Sequence, residues 1–249
     1  MTKTFRILFF FMLSISASTF SLSESPTELK IYTSIFEVTP IQGRSIPFET
    51  AVKRHMVWAS EQPSQFDWEV FVVIYGKRTG NYLFMTREHS WKDFDGMQDT
   101  REKFMMKWQT TVSQNVQSVN ASIYREIPSL SRKPSDIRVY PYAQISFFDM
   151  KPTSAFQFRK HVARMAGAIK TQHGAPPAVW YQQEAGGDQG TYLTIRPFKK
   201  WEDWPNLTLA KSQSKGMDPK ITRAIIEELS TILQGEETSV IMRRDDLDS

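Results

Sequence analysis

The chain contains no cysteine among its 249 residues. Disulfides, thiolate metal sites and cysteine nucleophiles are therefore excluded. The phosphate-binding pattern GxxxxGK(S/T), the zinc pattern HExxH and the nucleophile pattern GxSxG are also missing, so none of the chemistries with a compact local signature is written in the chain. There is no run of Lys and Arg of the kind that marks a nucleic-acid or anionic-membrane patch. The formal net charge is only +4, and Lys3 and Arg6 supply two of those charges; no nucleic-acid partner is expected. The longest purely apolar run, Ile7 to Leu13, is too short to span a bilayer.

That run has a context of its own. Residues 1–23, MTKTFRILFFFMLSISASTFSLS, place a short basic stretch before the apolar core and small residues after it, which is the order of a secretory signal. A buried N-terminal element is the alternative. With no cysteine after the core there is no lipid-attachment residue. The expectation is a secreted or periplasmic protein whose mature chain starts close to Thr19 or Glu24, with no stable membrane insertion afterwards. An exported chain without disulfides must be held by its packed core.

An internal repeat organises the remainder. Shifted by 110 residues, positions 32–94 align with 142–204 without a gap and give 12 identities over 63 positions, where average composition gives roughly four. The matches include Tyr32/Tyr142, Phe48/Phe158, Gly76/Gly186, Gly80/Gly190, Tyr82/Tyr192, Trp91/Trp201 and Asp93/Asp203. Both copies open with a β-branched and aromatic strand, 31–38 and 141–149. A helical apolar stripe follows: Phe48, Val52, His55, Met56 and Ala59 in one, Phe158, Val162, Met165, Ala166 and Ile169 in the other. Next comes a hairpin around Gly76–Gly80 or Gly186–Gly190. Helices are predicted near 99–118 and 218–234, and last strands near 121–127 and 238–243. The strand–helix–strand–strand–helix–strand order is ferredoxin-like. The predicted layout is a signal over 1–23, one unit over 24–130, a linker over 131–140 and a second unit over 141–249. Strand 68–75 is apolar on both faces, so helices cover one face and the other copy's sheet covers the other. The fold class is α+β, two tandem ferredoxin-like repeats packed sheet to sheet as a pseudo-dimeric α+β barrel.

On this element order, and on the segments TREHSWKDFDGM and RPFKKWEDWPNL after the third strand of each copy, the chain resembles the dimeric α+β-barrel superfamily. That group includes antibiotic-biosynthesis-type and haem-degrading monooxygenases and related stress-response domains. The resemblance implies that one fused chain does what two identical subunits do elsewhere, and that a hydrophobic substrate sits between sheet and helices.

Three groups of residues are candidates for chemistry. His55 and His161 lie on the apolar stripes of their helices, where a histidine is either a haem ligand, a base or a core residue bonded to backbone. The repeat pairs His55 with Met165 and His161 with Ala51, so neither belongs to both copies. The second group is an asymmetry between matched strands: Val72-Val73-Ile74 in one copy, Gln182-Gln183-Glu184 in the other. Buried polar groups need partners or a ligand. Gln182 and Glu184 share a face, so they are expected to line a pocket with Trp180 and Tyr192 and with His161 at its rim. The third is Trp91/Trp201, which could stack a ligand but, beside Asp93/Asp203, fits an anchored strand-to-helix corner better. The reading these support is an exported module, structural or binding a small apolar or aromatic molecule, with no cofactor and with a homo-oligomer allowed. The alternative implied by the resemblance is a cofactor-independent or haem-linked monooxygenase.

Overall fold

The structure is a computed structural model and describes residues 31–62, 67–96, 98–151, 153–170, 176–187, 190–207 and 219–248. The predicted signal segment 1–23 lies outside these residues. The chain runs β1 (Tyr32–Pro40), α1 (Ser45–Ser60), β2 (Glu69–Tyr75), β3 (Tyr82–His89), α2 (Trp91–Asp95), α3 (Gln98–Thr111) and β4 (Val116–Glu126). It continues with β5 (Tyr142–Met150), α4 (Ala155–Lys170), β6 (Val179–Ala185), β7 (Thr191–Phe198), a 3-10 turn (Trp201–Asn206), α5 (Pro219–Ile232) and β8 (Leu233–Arg243). β1, α1 and β2 stand 110 residues before β5, α4 and β6 at both ends of each element.

The eight strands form one closed antiparallel barrel in the order β1-β3-β2-β8-β5-β7-β6-β4, with β4 returning to β1. The two halves thus meet edge to edge, through β2–β8 and β4–β6, as well as across the barrel interior. Side chains alternate between the two sides of every strand. The inward set, including Ile35, Phe71, Met85, Ile145, Leu193 and Ile241, forms one apolar core drawn from both halves. Charges close its ends. At one, Arg78 pairs with Glu37 and Glu237, both at 2.8 Å. At the other, Arg87 pairs with Glu69, and Arg243 reaches Asp248 at 2.6 Å. An eight-stranded barrel has an interior that side chains can fill, and these apolar side chains pack it.

On the outside, α1 and α3 cover the first half's sheet through Phe48, Val52, Val70, Phe84 and Trp108. In the second half Phe148, Phe158, Val162, Trp180, Tyr192 and Leu229 bind α4 and α5 to the sheet. Among the described residues no helix is long and apolar enough to cross a membrane.

Two boundaries differ from expectation. The second helix of the first half ends at Thr111 rather than 118, and β4 starts at Val116 rather than 121. Val112, Val116 and Val119 are β-branched and suit a strand, and β4 pairs with β1 along its whole length, from Tyr32↔Arg125 to Pro40↔Val116. Likewise β8 starts at Leu233 rather than 238, because Met150↔Leu233 extends its pairing with β5. The predicted linker is tied down: Arg132 bridges Ala178, and Leu130 is buried just before it. Both aromatic corners are closed as read from the sequence. Asp93 accepts from the Ser90 N–H at 2.6 Å and Asp203 from the Lys200 N–H at 3.2 Å. Trp91 packs on Tyr32 and Trp201 on Tyr142.

Candidate functional site

The register of the second half defines the surface beneath α4 and α5 row by row. One outward row runs Glu236–Phe148–Tyr192–Gln182–Arg125 across β8, β5, β7, β6 and β4. The next runs Thr238–Ser146–Thr194–Trp180, and beyond it Gln144 stands opposite Arg196. In the first half the matching rows are Val119–Val38–Tyr82–Val72, Ala121–Phe36–Phe84–Val70 and Ser34 opposite Thr86. The middle row is therefore apolar throughout in the first half, whereas in the second it carries three hydroxyls and ends on an indole.

Of these polar groups Gln144, Ser146, Tyr192, Thr194 and Arg196 are buried, and two of them lack partners among the described residues. Thr194 and Tyr192 are both 0% exposed, and neither the Thr194 Oγ1 nor the Tyr192 hydroxyl has a hydrogen-bond partner among the described residues. Burial raises the Tyr192 phenol above its ordinary range, and the fields of Arg159 and Arg125 work against that rise. Ser146 and Thr238 satisfy each other at 2.8 Å. Arg196 is 6% exposed and donates to the Leu207 carbonyl at 2.7 Å. The walls are aromatic: Phe158 lies 4.6 Å from the Tyr192 ring, and Phe148 stacks on Trp180 at 5.6 Å.

Of the sequence-derived candidates, Trp180, Gln182, Glu184 and Tyr192 do lie on one side of the barrel, the side that α4 covers. Gln182 and Glu184 depart from the expected role. Glu184 is exposed and Gln182 only half-buried, and both accept from Arg125 of β4, at 2.6 and 2.7 Å. Their polarity is answered by a cross-strand arginine at the seam between the halves. His161 sits on α4, 9% exposed, with Nδ1 2.8 Å from Glu228 Oε2 of α5. That approach is off the line of an N–H bond, since Nδ1 counts no hydrogen bond. His55 is remote from all of these. It is buried in the first half between Trp58, Phe104 and Trp108, with ring centroids 5.6, 6.0 and 5.3 Å away. Burial, with a smaller push from Lys107, lowers its pKa to about 4. It is a neutral core histidine at neutral pH.

The residues that sequence reasoning missed are Gln144, Ser146, Thr194, Arg196 and Thr238. Their signal lay in the same alignment, which sets Ser34, Phe36, Phe84 and Thr86 against Gln144, Ser146, Thr194 and Arg196. Elsewhere, an open cleft of about 400 Å³ lies at the start of α1, lined by Arg44, Thr50, Arg54 and Asn115 among others. Among the described residues, no group of three or more His, Asp or Glu is placed to hold a metal ion.

No protein-family model matches the sequence, and no curated protein matches it. Solved structures do match in shape. A Fusobacterium nucleatum protein described as a candidate monooxygenase superposes with a TM-score of 0.59 at 10% identity, over 86% of this chain and 92% of that one. An anthrone oxidase-like protein gives 0.58 at 9% identity, over 88% and 92%. Chlorite dismutase from Candidatus Nitrospira defluvii, in complex with imidazole, gives 0.51 at 9% identity, over 87% and 93%. This chain has their fold, a closed eight-stranded α+β barrel.

Proposed function

We propose that the chain is a binding module for a small apolar or aromatic molecule, seated between the outer face of the second half's sheet and α4–α5. The observation that carries this is the fully buried, unpartnered hydroxyl of Thr194, in a row that the first half fills with Phe36 and Phe84. A buried polar group without a partner costs roughly 1–3 kcal/mol, and pockets for small molecules are apolar sites with a few placed polar groups. Native mass spectrometry of protein purified from its own host should reveal a retained small molecule, and Thr194→Phe should abolish it. Protein that carries no added mass, and whose melting temperature a panel of aromatic ligands does not shift, would refute the proposal.

A second reading, a monooxygenase with or without haem, is favoured by the fold of the structural neighbours and by His161. The residues present fit haem in one respect. Nδ1 lies 2.8 Å from the half-exposed Glu228, the other ring nitrogen is left for a ligand, and histidines are ordinary axial donors. Haem, where bound, supplies oxygen and redox chemistry, and His161 would hold it. Hemin titration tests this: a Soret shift lost in His161→Ala and retained in His55→Ala supports it, and no shift in the wild type rules the haem-linked form out.

We also infer that the chain arose by tandem duplication of a ferredoxin-like unit, 24–130 and 141–249. The support is the shared offset of β1, α1 and β2 from β5, α4 and β6 and the repeated strand orders β4-β1-β3-β2 and β8-β5-β7-β6. Export rests on residues 1–23 alone. N-terminal sequencing of natively expressed protein should find a start close to Thr19 or Glu24; an intact Met1 on cytosolic protein would end that reading.

A further inference from the structure

Arg196 is the most deeply buried arginine among the described residues, and no carboxylate pairs with it. Five partly buried arginines do have one: Arg78 has Glu37 and Glu237, Arg87 has Glu69, Arg125 has Glu184, Arg243 has Asp245 and Asp248, and Arg244 has Glu49 and Asp246. The acceptors that Arg196 meets are neutral, the Leu207 carbonyl at 2.7 Å and Gln144 Oε1 at 3.5 Å, and both take Nη1. A guanidinium has five N–H donors in a planar fork, so most of this one is unspent. Glu236 on β8 is the carboxylate whose field reaches it, but it is exposed and makes no ion pair with it.

Such a group is expensive to keep. Taking an ion out of water costs several kcal/mol even after relaxation, and here burial drags the pKa down to about 10. The fold itself does not ask for an arginine at this place. The same register position of the first half is held by Thr86, whose hydroxyl is 2.6 Å from a ring nitrogen of His89. Two residues along β7, and so on the same face, is the unpartnered hydroxyl of Thr194. A free fork and a free hydroxyl side by side form a donor pair. Trp180 stands opposite Thr194 on β6, and its indole packs with Phe148 and Phe158.

Resting on the ligand-binding reading above, we propose that the ligand is an aromatic or apolar acid whose carboxylate is held by Arg196 and Thr194 while its body lies against Trp180 and Phe158. A carboxylate matches the guanidinium fork in geometry and accepts the hydroxyl proton with its remaining lone pairs. It supplies the counter-charge that no described residue supplies.

The test compares two probes of one shape, 2-naphthoate and 2-naphthamide, by calorimetry on the full chain. The wild type should bind the acid at least ten-fold tighter than the amide, a difference of about 1.4 kcal/mol. Arg196→Gln should erase that ratio by weakening the acid and leaving the amide unchanged. Thr194→Val, a smaller change that keeps the fold if Arg196→Gln does not, should weaken the acid several-fold. Arg54→Gln, in the open cleft at α1, should change neither. Equal binding of acid and amide by the wild type overturns the acid preference and leaves the binding layer standing. Binding of neither overturns both. An acid preference lost in Arg54→Gln and kept in Arg196→Gln would place the anion in the other cleft and overturn the assignment of Arg196.

Discussion

His55 makes a pH dependence calculable from one side chain. It is 4% exposed, its Nδ1 has no hydrogen-bond partner among the described residues, and three aromatic rings surround it. Desolvation is the main reason its pKa falls from 6.5 to about 4, with Lys107 second. The folded state therefore refuses a proton that the unfolded chain accepts. Stability from this group is complete above pH 6.5, declines as the pH drops through the window between 6.5 and about 4, and levels off below. The full loss is about 3.4 kcal/mol at 1.36 kcal/mol per pKa unit; between pH 7.5 and pH 5 the same linkage gives about 2 kcal/mol. The reference is His55→Met, since the repeat has Met165 at the matched position. Urea denaturation followed by tryptophan fluorescence, at both pH values and constant ionic strength, yields the double difference, in which every other titrating group cancels. The wild type should lose about 2 kcal/mol more than the variant on acidification. Parallel losses would mean that the ring is hydrated or paired in solution, and the neutral core assignment would fail.

Thr194→Val removes an orphan hydroxyl at nearly constant volume and should raise the stability of ligand-free protein by about 1 kcal/mol, read as a higher urea midpoint. Gln182→Val with Glu184→Ile strips Arg125 of both acceptors and should lower stability by about 1 kcal/mol, with ligand binding intact; adding Arg125→Leu should restore most of it. Loss of binding with unchanged stability would instead return these two residues to the pocket. Gly186→Ala should cost about 2 kcal/mol or more in a thermal melt, because φ is +88° and a methyl there would overlap the Ala121 carbonyl oxygen; a neutral substitution would mean that the β6–β7 turn has another conformation.

Element order was readable because the two halves of the sequence check each other: Tyr32/Tyr142 and Trp91/Trp201 recur at one offset, and each tryptophan packs on the tyrosine of its own half. The double-sided strand 68–75 correctly demanded cover on both faces, which Phe71 and Val73 find inside the barrel and Val70 under the helices. The seams were not readable. β2–β8 and β4–β6 join strands far apart in sequence, and nothing local in Phe71 or Met242 names its partner. For the same reason Glu184 read as a buried carboxylate in need of a ligand: its answer, Arg125, comes from the other half. The β4 boundary was lost because a helical pattern through 99–118 competes with a strand whose pairing to β1 is long-range.

The site was half legible, and the reason is geometric. Comparing matched positions one at a time singles out the run of three changes at 182–184, since they are adjacent in sequence. The larger change, Phe36 to Ser146 and Phe84 to Thr194, is split between two strands 48 residues apart. It becomes one feature only when the register sets Ser146 against Thr194 and Phe36 against Phe84. On the duplication inferred here, two sheets inherited the same frame, and the barrel core and the helix cover kept both apolar where each needs the other. The outer middle row is the place where a half can change with least disturbance to the other, because most of its cover comes from its own helices. The first half spent that freedom on packing Phe36 and Phe84. The second gave up that packing for hydroxyls and a buried arginine, a loss of apolar contact that a fold alone has no reason to accept and that a bound acid would repay.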